Sequence, residues 1–536
     1  MRDWVIAKAA HLCGERDGHV FVEFLAEPPG RFLTYSSLMS AADCAAIDTA
    51  AYEDARTWFL DGQNDPAYLG GVSLGRAFEL PATVMLIKQR RALLVLRKLL
   101  DDVAAPIRLR GVGDEWRFAA RALGATIVED DTTGDLPSIP GLRVAEPSRL
   151  ERSLATLVRL GRRSKAMTVF LDTPHWSRSY YRALLQRRSV GLVNPGARVL
   201  LDALLSRRPA DCTWLAQDAK GWDGRGADFD VDPRDKWFFL RSSFSLLRPA
   251  LAAWAEAGLR VGGHGVVAVA TQDVTPPARA FLLGLKAGGG RVLTLEHGIS
   301  GAYRGQVHSV ADVLGTWGKP QAIYHRQVGP PGLETEAIGW PRLEAAYATR
   351  DVEATTAWDL VFFSQPAASL SSADWPEDNL TALRAVESYA AAHPERRVAV
   401  KLHPATAAYG STFPALEHAT LVTGDSLRLL RSARLSAVSF STTGIESMAL
   451  GRPVIQLARK GVLGPTEFIS ASGAAVVADG PLELEAAAES LLTDKAAYKR
   501  ARARGLVYAR EFVLGVDRPD SAVQRLCAVV DRLAIG

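Results

Sequence analysis

The stretch Arg397-Val-Ala-Val-Lys-Leu-His-Pro404 decides the fold of the C-terminal half of this chain. Its apolar, β-branched residues predict a buried strand, and the proline ends that strand because it cannot donate to a sheet ladder. A second apolar run, Leu435 to Phe440, is followed directly by Ser441-Thr-Thr-Gly-Ile-Glu-Ser447. Serine and threonine favour the start of a helix, so this stretch predicts a strand that passes directly into a helix.

The residues around these two stretches repeat the same alternation. Apolar runs predict strands at Trp358–Ser364, Arg397–Leu402, Leu421–Thr423, Ala437–Phe440 and Pro453–Leu457, and helical periodicity predicts helices at Asn379–Ala392, Asp425–Ser432 and Thr443–Leu450. Further upstream, two apolar runs at 266–270 and 291–295 enclose a helical pattern at 276–287. Strands that alternate with helices indicate parallel sheets with helical crossovers. We therefore expect an α/β protein with doubly wound parallel sheets.

The length of 536 residues exceeds the usual size of a single core, so we expect two domains. The first is predicted at 1–340, with an Asp- and Gly-rich excursion near 218–235, and a linker follows at 341–353. The second is predicted at 354–515. A C-terminal helix at 516–536 follows it, and we leave open that this helix returns to the first domain.

The composition excludes several classes of protein. The net charge of +4 is too balanced to indicate nucleic-acid binding. The four cysteines are scattered without a metal-like spacing, which is typical of reduced thiols in the cytoplasm. No signal peptide and no apolar run of about 20 residues is present in the sequence. We expect a cytoplasmic protein and leave open a peripheral contact with the inner membrane surface.

Lys401 and His403 lie two residues apart at the end of the strand in the first stretch, so their side chains share a face. Ligands of open α/β sheets bind at the carboxyl ends of the strands. An ammonium group and an imidazole there suit a phosphate. The alternative interpretation is a solvated lysine beside a histidine that packs against the turn at Pro404.

The turn Ser441, Thr442, Thr443 and Gly444 resembles an anion site, because free amides at a helix start and hydroxyl groups bind phosphate. The alternative is an ordinary helix cap. Glu446, in the first helical turn, either interacts favourably with the helix dipole or binds ribose hydroxyls.

Glu296 and His297 end the strand 291–295 and form the third candidate site. The imidazole could accept a proton from an acceptor hydroxyl while the carboxylate orients the ring. A structural histidine is the alternative.

Two further patterns favour ordinary roles. The acidic run Asp228 to Asp232 lacks the glycine and distal glutamate of a calcium loop, and we expect no metal site in this protein. The basic amphipathic pattern from Lys88 to Leu100 fits either an anionic membrane surface or, as we prefer, a partly buried domain helix.

Taken in order, several segments resemble bacterial surface-polysaccharide transferases of the GT-B architecture. That group includes polysialyltransferase-like enzymes, capsule Kdo transferases and CDP-glycerol glycerophosphotransferases. The resemblance covers about residues 264–460. The matching segments are Glu296-His-Gly298, Leu314-Gly-Thr-Trp-Gly318, Ile338-Gly-Trp-Pro-Arg-Leu343, Phe363-Ser-Gln-Pro366, Lys401-Leu-His-Pro404, the serine-rich turn with Glu446, and Gly451-Arg-Pro453.

The resemblance implies two Rossmann-like domains that face an interdomain cleft, and metal-independent, inverting transfer from a cytidine nucleotide without a separate cofactor. It implies that His403, Ser441 and Thr442 hold the donor phosphate and that His297 is the base. Many sialyltransferases use an aspartate at the position of His297. We also place Lys401, Pro404, Thr443, Gly444, Glu446 and Gln365 among the donor-binding residues.

We therefore expect transfer of a nonulosonic-type acidic sugar (sialic-like, pseudaminic-like or Kdo) from a CMP donor to a surface glycan or glycoconjugate. Two alternatives stay open: transfer of a polyol phosphate from a CDP donor, and a non-catalytic scaffold that binds a nucleotide or carbohydrate. The first 260 residues leave the acceptor undefined.

Overall fold

The structure is a computed structural model that describes most of the chain. The described residues are 4–8, 19–23, 32–33, 38–61, 64–65, 67–100, 106–131, 148–160, 168–171, 177–187, 189–206, 210–213, 215, 237–296, 298, 309–352, 356–364, 376–403, 416–439, 441–457, 472–513 and 520–535. The predicted excursion at 218–235 lies outside them.

The N-terminal part forms a five-stranded parallel sheet. Its strands, in spatial order, are β3 (Phe32–Leu33), β2 (His19–Glu23), β1 (Trp4–Lys8), β6 (Ile107–Arg110) and β7 (Ile127–Asp131). Trp116 and the leucines of one long helix pack against it in a buried cluster. A separate two-stranded hairpin consists of β4 (Tyr68–Leu69) and β5 (Val72–Ser73).

The middle of the chain forms a seven-stranded parallel sheet. Its strands, in spatial order, are β10 (Ala210–Thr213), β9 (Val190–Val193), β8 (Thr168–Leu171), β11 (Val267–Ala270), β12 (Arg291–Leu295), β13 (Val313–Thr316) and β14 (Glu334–Ala337). The central strands are buried along almost their whole length, as expected for a sheet with helices on both faces.

The C-terminal part forms a six-stranded parallel sheet. Its strands, in spatial order, are β17 (Thr420–Val422), β16 (Val398–Lys401), β15 (Trp358–Phe363), β18 (Ala433–Val438), β19 (Val454–Leu457) and β20 (Val476–Ala478). Taken in chain order, the strands lie in the sequence 3-2-1-4-5-6, which is the arrangement of a Rossmann sheet.

Helices connect the strands. They are α1 (Ala41–Ala55), α2 (Leu74–Ala77), α3 (Glu79–Leu99), α4 (Asp114–Ala122), α5 (Arg149–Leu160), α6 (Arg178–Arg187), α7 (Ala197–Ser206), α8 (Phe238–Val261), α9 (Pro276–Ala287), α10 (Lys319–Val328), α11 (Pro341–Ala348), α12 (Pro376–Ala392), α13 (Ser426–Arg431), α14 (Thr443–Ala449), α15 (Pro481–Thr493), α16 (Lys495–Arg510) and α17 (Ala522–Ile535).

The chain divides into two compact units. The first contains residues 1–52, 83–138 and 346–510, and the second contains 53–82, 139–345 and 511–536. Within the second unit, Arg525 of α17 donates to Ile338 O at 2.6 Å and pairs with Glu344 at 2.6 Å. The C-terminal helix is thus fixed to the segment that follows β14.

The predicted α/β class with doubly wound parallel sheets is confirmed by the seven- and six-stranded sheets. The predicted boundary at residue 340 stays a prediction, and α11 occupies most of the predicted linker. The basic pattern at 88–100 belongs to α3, where Leu96 and Leu99 are buried against the five-stranded sheet. The structure therefore favours the domain-helix interpretation of that pattern.

Candidate functional site

The carboxyl edge of the six-stranded sheet brings the two quoted stretches together. In the register, Phe363 of β15 lies between Lys401 of β16 and Val438 of β18. The strand order reverses between β15 and β18, and ligands of doubly wound sheets bind outside the strand ends at such a reversal. The segments after β15, β16 and β18 therefore form the candidate site.

Lys401 and His403 are held at this edge by Ser364, the residue that follows β15. Ser364 N donates to Lys401 O at 3.0 Å, and its hydroxyl oxygen accepts from His403 N at 3.0 Å. Lys401 is only 8% exposed, whereas His403 is half-buried. The predicted site residues Pro404 and Gln365, which adjoin these positions, lie outside the described residues.

The electrostatics of this edge favour a neutral imidazole. Burial lowers the pKa of His403, and the ammonium group of Lys401 lowers it further. The ring is therefore uncharged at neutral pH while the lysine supplies a fixed positive charge. An anion that binds here would raise the pKa of the histidine again, so the site can take up a proton on binding.

The turn at the start of α14 differs from the expectation of free amides. Thr443 N donates to Ser441 Oγ at 3.2 Å, and Gly444 N donates to Ser441 O at 3.0 Å. Ser441 Oγ also donates to Thr443 Oγ1 at 3.0 Å. Ser441 therefore closes a local turn that occupies these two amides, and the role of the turn in donor binding stays a prediction. The hydroxyl of Thr442 makes no hydrogen bond within the described residues.

Several polar groups near this edge of the sheet are buried. Glu446 is 5% exposed, although it lies in the first turn of a helix where glutamate usually reaches water. Gln456 of β19 donates to Ser439 O at 3.2 Å, and the hydroxyl of Ser439 is buried without a hydrogen-bond partner in the described structure. Sequence reasoning did not select Ser364 or Ser439 as site residues, although each directly follows a strand of the structure.

The predicted catalytic pair at 296–297 is only partly described, because His297 lies outside the described residues. Glu296 is fully buried, and one carboxylate oxygen accepts from Trp317 N at 2.8 Å. The other oxygen lies 3.7 Å from His325 Nε2. Burial raises the pKa of Glu296, while the nearby His325 and the Trp317 amide oppose that shift.

A cluster of buried polar side chains surrounds this carboxylate. His325 and Gln321 lie four residues apart on α10 and are both fully buried, and neither has a hydrogen-bond partner for its side-chain nitrogen or oxygen atoms in the described structure. The indole rings of Trp317 and Trp340 stack nearby at 4.2 Å. Glu296 is therefore part of a buried polar cluster that the sequence did not predict.

Asp273 is a second buried carboxylate in the same unit. It follows β11, is fully buried, and accepts from Ser309 Oγ at 2.6 Å and from Val310 N at 2.8 Å. These bonds fix the chain where it enters β13. Asp273 and Ser309 are 36 residues apart, so no local pattern in the sequence predicted this bond.

No group of three or more potential metal ligands occurs among the residues that the structure describes. Within the same residues, no helix combines the length and the apolar character needed to cross a bilayer.

Comparisons with known proteins find only distant similarity. No family model and no curated protein matches the chain. Among solved structures, UDP-GlcNAc 2-epimerase from Neisseria meningitidis bound to UDP-GlcNAc is 11% identical, with a TM-score of 0.40 over 65% of this chain and 98% of that one. The wall teichoic acid polymerase TagF is 10% identical, with a TM-score of 0.38 over 72% and 93%. UGT89C1 of Arabidopsis thaliana is 11% identical, with a TM-score of 0.42 over 69% and 100%. Similarities this distant assign neither a family nor a substrate to this chain.

Proposed function

We propose that this protein is a transferase of the GT-B type that binds the phosphate of a nucleotide-linked donor at the carboxyl edge of its six-stranded sheet. The observation that carries the proposal is the placement of Lys401 and His403 beside the reversal of strand order, where Ser364 holds the histidine backbone. The proposed donor is a CMP-linked acidic sugar of the nonulosonic type, and the proposed acceptor is a surface glycan or glycoconjugate.

The chemistry of these side chains suits a departing phosphate. When the sugar leaves its nucleotide, negative charge grows on the phosphate in the transition state. A fixed ammonium group and an imidazole that gains a proton both stabilise that charge more strongly in the transition state than in the ground state. Hydroxyl groups at 441–443 supply further donors without a metal ion.

We propose His297 as the base that accepts the proton of the acceptor hydroxyl. Glu296 supports this role only indirectly, because its carboxylate is buried against Trp317 and His325. The resemblance to surface-polysaccharide transferases motivates this part of the proposal, together with the position of the residue at the end of β12.

Donor binding is tested by thermal shift with CMP, CDP, UDP and GDP. We expect CMP to raise the melting temperature of the wild-type protein and of His297→Ala, and to leave His403→Ala unchanged. His418→Ala is the matched control, because its partly exposed imidazole pairs with Glu387, away from this edge. Equal stabilisation of His403→Ala and wild type would refute the assigned donor site.

The pH dependence of binding gives a second measurement. The pKa of the free His403 imidazole is lowered, and a bound phosphate raises it. CMP therefore binds with uptake of a proton, and its affinity weakens as the pH rises between those two pKa values. Isothermal titration in two buffers of different ionisation enthalpy measures the proton uptake, and zero uptake in the wild type would contradict the proposed contact.

Transfer of a polyol phosphate from a CDP donor is the second candidate, favoured by the same phosphate-binding residues. Incubation with CMP-sialic acid and with CDP-glycerol separates the two. Only the second reaction transfers phosphorus to the product, which 31P NMR detects. Nucleotide binding without turnover of either donor would favour the non-catalytic scaffold.

A further inference from the structure

Three neighbouring helices of the seven-stranded sheet, α5, α6 and α7, expose arginine and leucine but no carboxylate. Among their described side chains, the exposed ones are five arginines, four leucines, and a serine, a threonine and a glutamine. The leucines are strongly exposed: Leu150 by 61%, Leu157 by 53%, Leu201 by 49% and Leu205 by 76%. Single exposed leucines are ordinary, but four on two adjacent helices form a patch.

The four leucines lie on the two neighbouring helices α5 and α7. The two helices begin side by side, because Ala197 N at the start of α7 donates to the carboxylate of Glu151 on α5 at 3.1 Å. Leu150 and Leu157 lie two turns apart on one flank of α5, while Leu201 and Leu205 lie one turn apart on α7. The inward faces of both helices are occupied by other residues, Leu154, Ala155 and Val158 on α5 and Val199, Leu200 and Ala203 on α7.

The charge of this surface is positive because its arginines outnumber its two carboxylates, Glu151 and Asp202. Glu151 accepts from the amide and the hydroxyl of Ser148, and these bonds keep its pKa low. Asp202 is buried and accepts from both Arg178 and Tyr181. Arg149 and Arg198 are exposed, whereas the exposed Arg182 lies 3.6 Å from Asp202.

We propose that the surface formed by α5, α6 and α7 binds an anionic phospholipid membrane. Leucine side chains enter the boundary between headgroups and acyl chains, and arginines at the same level bind lipid phosphates bidentately. A second copy of the chain fits less well, because two such surfaces would bring their arginines together without compensating carboxylates. The surface is independent of the donor site on the six-stranded sheet.

Binding is tested by co-sedimentation of the full chain with vesicles. We expect the wild type to pellet with vesicles of equal parts phosphatidylglycerol and phosphatidylcholine, to bind phosphatidylcholine vesicles poorly, and to be released by salt. The double variant Leu157→Ser/Leu205→Ser and the double variant Arg149→Gln/Arg198→Gln should each bind at least about tenfold more weakly. Leu482→Ser, an 81% exposed leucine on α15 of the other unit, is the matched control and should bind like wild type.

The substituted positions are exposed, so circular dichroism and the melting temperature should stay unchanged in all variants. Wild type that stays in the supernatant with anionic vesicles overturns the proposal, as does binding of both double variants at the level of the wild type. Sedimentation without lipid tests self-association. A dimer that the leucine variant abolishes would assign the surface to a second copy instead.

Discussion

Arg525 and Arg532 form ion pairs on the same helix that differ strongly in burial, and burial should decide how much each pair stabilises the protein. Both lie on α17, two turns apart, and each places a guanidinium nitrogen 2.6 Å from a glutamate oxygen. The side chain of Arg525 is 5% exposed, and that of Arg532 is 47% exposed. We predict that Arg525→Met destabilises its unit severely and that Arg532→Met barely does.

The magnitude follows from the groups that each substitution leaves behind. Removal of Arg525 leaves the carboxylate of Glu344 without its cation and leaves Ile338 O and Asp520 O without their donor. Loss of one partner of a buried pair costs about 3–5 kcal/mol. The partners of Arg532, Glu334 and Glu336, are solvated, so that loss stays below about 1 kcal/mol.

Guanidinium chloride unfolding followed by tryptophan fluorescence measures both losses, because the stacked pair Trp317 and Trp340 lies in the same unit. Hydrogen exchange of peptides from 520–535 supplies a local readout and should accelerate strongly in Arg525→Met alone. Equal losses in the two variants, or unchanged exchange of α17 in Arg525→Met, would refute the reasoning that α17 is anchored by this buried charge.

Two other predictions concern stability. Burial raises the pKa of Asp48 to about 6 against the attraction of Arg91, so the free energy of unfolding should fall as the pH rises from about 4 through 6. Asp48→Asn should remove that dependence and stabilise the protein at pH 7 by up to about 3 kcal/mol, and unchanged pH dependence of unfolding would contradict the assignment. Gly284→Ala places a Cβ 1.9 Å from Ala255 O where α8 and α9 cross, and should cost more than about 2 kcal/mol in chemical unfolding. Gly480→Ala, with open space at its Cβ, should cost far less. Equal losses of stability in the two variants would show that α8 and α9 can move apart at little cost.

The strands β8, β11, β12 and β15 to β19 were predicted, because most of them lie in apolar runs. The other strands of the seven- and six-stranded sheets were not predicted; β14, for example, reads Glu-Thr-Glu-Ala. Runs such as Val398–Lys401 and Val267–Ala270 are buried on both faces. A continuous apolar run is typical of strands buried in this way. Their ends agree with the predictions to within a few residues. The strand order could not be predicted, because the same alternation of strands and helices fits several crossover patterns.

Most of the five-stranded sheet was missed for a different reason, although the run at 104–110 predicts its strand β6. Its edge strand Phe32–Leu33 has two residues, and its strands at 4–8 and 19–23 mix apolar with charged positions. Such short patterns resemble irregular structure when no neighbour is known. The sheet exists because β1 pairs with β6, about a hundred residues away, and that pairing leaves no local signal.

The candidate site shows the same division between local and distant information. The sequence placed Lys401 and His403 at a strand end, which the structure confirms for the backbone of both residues. It could not show that Ser364 holds His403, because that bond joins residues 39 apart. It also predicted free amides at the start of α14, where Ser441 accepts locally from Thr443 and Gly444.

The strand orders of the two larger sheets bear on which residues can meet a ligand. In the seven-stranded sheet the order reverses between β8 and β11, so the residues after β11 lie nearer to the reversal than those after β12. Asp273 occupies that position; its Oδ2 accepts from Ser309 and Val310, and its Oδ1 is buried without a hydrogen-bond partner in the described structure. In the six-stranded sheet the reversal lies beside Ser364, with Lys401 and His403 on the next strand. A fixed cation and a titratable imidazole lie near the reversal only in this second case among the described residues, and for that reason the proposed donor site rests on the six-stranded sheet.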